Sequence, residues 1–319
     1  MSAAPTLRIG TRASALALWQ ARHVAACLSE QPGAPQVELV HITTTGDAQS
    51  DVPLWQVGGR AFFTREIDRA LREGSVDVAV HSLKDLSTQI EPGLLLAATL
   101  SRADPRDALV SRTGAPLEQL PRGARIGTSS LRRRAFLARL RPDAVLLELR
   151  GNVPTRIERL RRGGDYDAIV LAAAGLARLG LASQVSEYLD AERFPPAVAQ
   201  GVIGVCARVD DVATLRWLGA LDDPQARLTT SAERALLARL EGGCQVPLGA
   251  LATVRAGTLT LSASVCAQDG TQYLAARGEA PALAHEAVAL GQRIAQELLE
   301  RGAGELIGQQ RAAREVEEP

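Results

Sequence analysis

Lys84 and Asp85 stand side by side just past a buried apolar run, VDVAV at 76–80. An ammonium beside a carboxylate can bind an anion, offset a developing positive charge or move a proton. The same two groups can equally form a plain ion pair, because neighbours on a strand point to opposite faces. Lys84 is the one lysine among 36 Lys and Arg residues. An arginine-favouring genome accounts for the rarity but not for the position of the survivor. A compact ammonium does what a planar guanidinium fork cannot.

A second constellation is Ser129-Ser130-Leu131-Arg132-Arg133-Arg134, which opens a helix straight after a strand. Hydroxyls and free backbone N–H groups at a helix start favour anions, and guanidiniums add forked donors. Arg150 and Arg156 follow the next strand. These four arginines, Arg132, Arg133, Arg150 and Arg156, read as binders of carboxylates or phosphates. Arg134, Arg139, Arg141, Arg159, Arg161 and Arg162 read as solvated helix faces. Cys244 sits on a glycine turn, GGCQVP. It is either structural or a nucleophile and attachment point. His23, His41, His81 and His285 show no spacing that pairs them with a cysteine, and no Cys/His cluster has zinc spacing, so no metal is expected.

The elements that must position these groups come in a repeated order. Leu7 to Thr11 reads as a strand, and a helix follows with Ser14 as its N-cap. Val37 to Thr43 is a further strand. Residues 44–60 carry no sustained period and read as a lid or binding loop. A helix (Arg65 to Glu73) and the strand at 76–80 complete the set. RIGTS at 125–129 then echoes RIGTR at 8–12, and RLRRGGDYDAIV at 159–170 echoes ALREGSVDVAV at 70–80. Two α/β lobes with mainly parallel sheets follow from that repetition. Such lobes bind ligands outside the carboxyl ends of their strands, in a cleft when paired. Those ends carry Arg12, Ser14, Lys84, Asp85, Thr128, Ser129, Ser130, Arg150 and Asn152, a cationic, hydroxyl-rich set with one carboxylate. The segment around Pro195–Asp211 is placed to return to the first lobe. A third, α+β unit begins near Asp222, with alternating strands at 258–265 and 271–278 joined through AQDG, then a long amphipathic helix.

Composition bounds the function classes. The chain has 319 residues, 46% hydrophobic and 23% charged, which suits two or three globular domains. Lys+Arg and Asp+Glu are both 36, and aromatics are 3%. That argues against nucleic acid, which calls for a basic field and stacking platforms. No apolar run is long enough for a membrane span, and MSAAPTLRIG does not look like an export signal. A cytoplasmic protein with reduced cysteines is expected.

With these residues in hand, the chain resembles the porphobilinogen deaminase (hydroxymethylbilane synthase) family over nearly its whole length. The matching stretches are RIGTRAS at 8–14, VGGRAFF at 57–63, DVAVHSLKDL at 77–86 and DPRDALVS at 104–111. They continue with GTSSLRRR at 127–134, LRGNVPTR at 149–156, YDAIVLAAAGLARLGL at 166–181 and LEGGCQVPLGA at 240–250. The resemblance implies two periplasmic-binding-protein-like lobes with mainly parallel sheets, plus a small C-terminal α+β domain with an antiparallel sheet. Domain 1 spans 4–100 and 199–219, domain 2 spans 101–198, and domain 3, which attaches the cofactor, spans 220–311.

It also implies a transferase that deaminates four porphobilinogen molecules and joins them head to tail on a dipyrromethane primer. The primer is held by a thioether at Cys244, and hydroxymethylbilane is released for haem and related tetrapyrroles. Porphobilinogen carries acetate and propionate arms, which gives the cleft arginines their purpose. By resemblance, Lys84, Ser130, Arg132, Arg133 and Arg156 hold the cofactor's carboxylates. Arg12, Ser14, Arg150 and Arg178 bind substrate and the growing chain. Asp85 is the catalytic carboxylate, stabilising the azafulvenium-like species left by loss of ammonia. Arg60 and Phe63 belong to the active-site loop. The expected partners are porphobilinogen and uroporphyrinogen-III synthase, with no nucleic acid and no membrane, and the chain is expected to be a monomer.

There are departures from the family pattern. Arg60 replaces a common lysine, AQG at 199–201 replaces GQG, Cys206 replaces an acidic residue, and Pro154 fills a free position. The competing reading is a non-catalytic two-lobe binder of small carboxylated anions. Asp85 and GGCQVP separate the two, since a binder needs neither.

Overall fold

The computed structural model describes residues 6–45, 64–240 and 247–308. These residues form two compact units. The first holds 6–45, 64–103 and 201–227; the second holds 104–200, 228–240 and 247–308.

In the first unit the chain runs β1 (Thr6–Thr11), α1 (Ala15–Ser29), β2 (Gln36–His41), α2 (Arg65–Arg72), β3 (Val78–Ser82), a 3-10 turn (Leu83–Asp85) and β4 (Leu94–Thr99). The second unit contributes β5 (Asp107–Ser111), β6 (Arg125–Gly127), α3 (Leu131–Leu140), β7 (Val145–Leu147), α4 (Val153–Arg162), β8 (Ala168–Ala172), α5 (Ala173–Arg178) and β9 (Glu187–Tyr188). The first unit resumes with β10 (Ile203–Arg208) and α6 (Val212–Gly219). Next come α7 (Pro224–Arg239), mostly in the second unit, then β11 (Leu248–Arg255), β12 (Thr258–Cys266), β13 (Tyr273–Pro281) and α8 (Ala284–Glu300).

The two five-stranded sheets share one plan. Their orders are β2-β1-β3-β10-β4 and β7-β6-β8-β5-β9. In each, the first three strands pair in parallel, and the fourth is antiparallel to both neighbours. Four of five strands in each sheet therefore point the same way. The reversed strand is β10 in one, the last of its sheet along the chain, and β5 in the other, the first of its sheet. The helices α1 and α3 link parallel neighbours, as parallel pairing requires.

The repeated sequence signals become repeated contacts. Asp77, just before β3, takes hydrogen bonds from Arg8 backbone N–H (3.0 Å), Nε (3.0 Å) and Nη2 (2.8 Å). Asp167, just before β8, takes the backbone N–H of Arg125 at 2.8 Å and its Nη2 at 3.3 Å. Each aspartate thus clamps the second strand of its sheet to the third. Gly10 and Gly127, the glycines of the two RIGT runs, sit in crowded places, Gly127 the tighter of the two. A Cβ on Gly127 would lie 2.8 Å from the Tyr166 ring, and one on Gly10 3.1 Å from Val76.

The apolar faces close the cores. Leu7, Ile9, Val24, Leu28, Val78, Val80 and Val205 are buried together in the first unit. In the second, Ile126, Phe136, Leu137, Val170, Phe194 and Cys266 are buried together, the Phe136 and Phe194 rings 5.8 Å apart. Cys266 ends β12, so the three-stranded sheet packs onto this core. That sheet, in order β11-β12-β13, is wholly antiparallel. Its first hairpin turns at Ala256 (φ 48°) and Gly257 (φ 76°), the double positive φ of a tight two-residue turn.

Candidate active site

Arg12 and Ser14 lie directly after β1, and the Lys84–Asp85 turn lies directly after β3. Because β1 and β3 are parallel neighbours, paired Ile9 to Val78 and Gly10 to Ala79, both segments emerge at one edge of the first sheet. Ser14 caps α1, its Oγ accepting the Ala17 N–H at 3.4 Å. Gln20 of α1 donates to Ser82 Oγ at 2.8 Å and steadies the end of β3.

Lys84 and Asp85 are not on the strand. β3 ends at Ser82, and residues 83–85 form one 3-10 turn. Three residues per turn set successive side chains about 120° apart, so the two do not face opposite ways. Leu83 anchors the turn: its side chain is buried and its N–H reaches Val202 O at 3.0 Å. Lys84 and Asp85 are half-buried beside it. Under the same strand end, His81 and Asp68 form a buried pair with Nε2 3.4 Å from Oδ1.

In the second unit, Thr128, Ser129 and Ser130 follow β6, Arg150 and Asn152 follow β7, and α5 follows β8. β6 is the parallel neighbour of both, so these groups share the corresponding edge of the second sheet. Ser130 caps α3, accepting the Arg133 N–H at 3.4 Å. Asn152 caps α4, accepting the Thr155 N–H at 3.0 Å. Pro154 sits in the first turn of α4, where its missing N–H costs nothing. Arg156 is half-buried, its Nε on Gly151 O at 2.7 Å. Burial pushes the Arg178 guanidinium down to about 10.

Arg132 and Arg133 are buried on a partner that sequence reasoning missed, Asp107. Arg132 Nη2 lies 2.6 Å from Asp107 Oδ2, and Arg133 Nη2 lies 2.7 Å from Oδ1. Each also donates to backbone: Arg132 Nη1 to Pro195 O at 2.6 Å, and Arg133 Nη1 to Val170 O at 2.9 Å. Asp107 stands in the DPRDALVS stretch. The available signal was an unbalanced helix: α3 opens with arginines and has no acid in its first turn.

The two sheet edges differ in one respect. Aligned on Asp77 and Asp167, the positions of Lys84 and Asp85 correspond to Ala174 and Gly175, which are buried. The scaffold is repeated, and the ammonium–carboxylate pair is present in the first copy alone.

Cys244, Arg60 and Phe63 lie outside the described residues, as does 46–60 of the expected lid. Cys206 lies in β10, 1% exposed, at a register shift between Val205 and Cys206. Ala199, the first residue of AQG, has φ 60°, a conformation that suits glycine. Its N–H is held by the buried Glu233 carboxylate at 2.6 Å, which also takes the Ala252 N–H at 2.8 Å. Among the described residues no helix is long and apolar enough to cross a membrane, and no group of three or more His, Cys, Asp or Glu side chains could hold a metal ion.

Comparison with known proteins adds to this geometry. Residues 7–216 match the family model described as porphobilinogen deaminase, dipyromethane cofactor binding domain, and residues 227–300 match porphobilinogen deaminase, C-terminal domain. A porphobilinogen deaminase of Roseiflexus sp. (strain RS-1) is 51% identical over 302 residues, covering 95% of this chain and 98% of the relative. Relatives of the same name from Syntrophotalea carbinolica and Geobacter metallireducens are 49% and 47% identical, covering 94% and 98% of this chain and 95% and 98% of their own lengths. By sequence along almost its full length, and by a repeated lobe that carries Lys84 and Asp85, the chain belongs to the porphobilinogen deaminase family.

Proposed function

We propose that this chain is a transferase of tetrapyrrole synthesis, which deaminates four porphobilinogen molecules and joins them head to tail to release hydroxymethylbilane. The observation that carries the reading is Asp85 beside Lys84 on a strand-end turn, within residues that match the dipyrromethane-binding domain of the family.

The donor set fits a group that bears several carboxylates. Two guanidiniums, Arg132 and Arg133, meet one carboxylate, Asp107, at the positive end of α3, which leaves positive charge in excess. We assign Lys84, Ser130, Arg132, Arg133 and Arg156 to the carboxylates of the dipyrromethane, and Cys244 to its thioether. When bound, that group supplies the primer on which monomers are joined. Arg12, Ser14, Arg150 and Arg178 orient the acetate and propionate arms of incoming porphobilinogen. Asp85 offsets the positive charge left on the monomer when ammonia departs, and its carboxylate oxygens move the proton released on joining. Arg60 and Phe63 serve the loop that excludes water.

In this reading domain 1 is 4–100 with 199–219, domain 2 is 101–198 and domain 3 is 220–311. The protein works as a cytoplasmic monomer, and uroporphyrinogen-III synthase consumes its product.

The test is the intact mass of the purified protein, with peptide mapping. Two linked pyrrole units on the Cys244 peptide, followed by stepwise addition of further units with porphobilinogen, are the expected result. A chain that stays unmodified after incubation with porphobilinogen overturns the reading in favour of a binder of carboxylated anions.

A further inference from the structure

Arginines are poor residues for the first turn of a helix, where the macrodipole is already positive. α3 begins at Leu131 and places Arg132, Arg133 and Arg134 in that turn, with no acid among them. Arg132 and Arg133 are moreover buried, at 5% and 6% exposure. A local rule broken this plainly marks a functional site or a compensation elsewhere.

The compensation comes from Asp107, at the start of β5. Its side chain is fully buried. Oδ2 takes Arg132 Nη2 at 2.6 Å, and Oδ1 takes Arg133 Nε at 3.0 Å and Nη2 at 2.7 Å. Gln200 Nε2 adds a third side chain at 3.1 Å, while also holding Pro105 O at 2.7 Å. Both guanidinium planes are thereby fixed. Among the described residues, however, the charge is not balanced. Two buried cations face one carboxylate, and burial pushes the Arg132 guanidinium down from its ordinary value despite Asp107. A structural cluster built for stability alone would match its charges, because an uncompensated buried ion is costly. An excess of one positive charge is what a site that awaits an anion keeps.

We propose that Asp107 is a positioning residue, which holds Arg132 and Arg133 in fixed orientation for a carboxylate of the bound pyrrole chain. The inference rests on the proposed function above and goes beyond it, since Asp107 touches the arginines and not the reacting atoms. Asp107 sets both the direction of the forks and the number of charges left for the ligand.

The experiment compares wild type with Asp107→Asn, which keeps the shape and one acceptor oxygen but removes the charge. Three quantities are read: the fraction of purified chain that carries the two-pyrrole adduct by intact mass, the porphobilinogen concentration giving half-maximal addition of the next unit by mass, and the thermal midpoint. The expected result is a lower adduct fraction and a half-saturating concentration raised about tenfold, with the saturating rate changed far less, because carboxylate orientation is lost and the chemistry is not. A lower thermal midpoint with unchanged adduct fraction and half-saturating concentration overturns the proposal and leaves Asp107 a structural ion pair. If Asp107→Asn does not fold, Gln200→Leu is measured in its place, since it loosens Asp107 from one side while leaving all three charges. A raised half-saturating concentration then supports the proposal, and an unchanged one overturns it. A wild type that carries no adduct and adds none fails the proposed function itself, and the role of Asp107 falls with it.

Discussion

Arg8 and Asp77 are joined through both the backbone and the side chain of the arginine, with N, Nε and Nη2 all within 3.0 Å of the carboxylate. Arg208 of β10 adds a second guanidinium at 3.3 Å. One aspartate therefore ties β1, β3 and β10 together. Asp77→Asn is expected to destabilise the protein by about 1.5–3 kcal/mol, the range for hydrogen bonds to a charged group. Asp167→Asn, where the side-chain contacts to Arg125 are longer and the carboxylate more exposed, is expected to cost less. Urea unfolding of the two variants checks the order, and equal losses would contradict it.

The same pairs set an acid limit. Burial pushes the Asp77 carboxyl up, but hydrogen bonds from Arg8 and Arg208 outweigh it, and the net direction is down. The hydrogen bond from Arg125 lowers Asp167 as well. A carboxyl lowered in the folded state contributes stability that is complete above its unfolded value, about 3.9, and is lost as pH falls through the folded value. The urea midpoint should be level near neutral pH and fall below about pH 4. Asp77→Asn should flatten that fall. A midpoint already declining steeply at pH 6 would show that other groups govern acid sensitivity.

Thiol chemistry provides a third check. Cys206 and Cys266 are buried, and burial raises the Cys266 thiol to about 11. Thiolate is the reactive form, so both should resist iodoacetamide in native buffer and react once the chain is unfolded. Peptide mapping of native, alkylated protein should then show neither residue labelled. A labelled Cys206 would mean that β10 leaves its sheet readily. An unlabelled Cys206 removes it as a competitor when the adduct on Cys244 is mapped.

Asp85 and Lys84 invite separate substitutions. Asp85→Asn keeps the turn and removes the charge. Its kcat is expected to fall by about 10²–10⁴-fold, as for loss of a group that moves protons or offsets transition-state charge, while the adduct remains attached. Lys84→Arg keeps the charge and changes its reach, and it should lower the adduct fraction or the turnover. Full activity of Lys84→Arg in a porphobilinogen assay would reduce the single lysine to an accident of composition.

Much of the scaffold was legible in the sequence because it occurs twice. The RIGT runs, the aspartates before β3 and β8 and the capping residues Ser14 and Ser130 each announce themselves locally. β4, β5, β10 and β11 were not read as separate strands. β5 and β10 are short, buried on both sides and carry no alternation to detect. α7 starts at Pro224, where Asp223 accepts the Ala226 N–H at 2.7 Å and proline suits the first turn. At the site, Arg12, Lys84, Asp85, Ser130 and Arg150 could be placed at strand ends from pattern alone. Asp107 could not, because its partners lie 25 and 26 residues away and pairing at that distance leaves no spacing to read.

The placement of β10 also dictates an order of events on the ribosome. β5 to β9, residues 107–188, contain every strand of the second mixed sheet in one continuous stretch. The first mixed sheet is different, because β10 supplies the fourth strand and is the neighbour through which β4 is attached. Until residues 203–208 have been synthesised, β4 has no place in that sheet and the edge of β3 stands open. Domains generally fold as units during synthesis, N-terminal first, and unpaired edges are where chains aggregate. Here the later-made sheet is the one that can close first, and the lobe bearing Lys84 and Asp85 is finished only by a strand translated about 120 residues after them, a long loop whose closure slows folding. A nascent chain halted near residue 200 would carry a complete second sheet and an unfinished first one.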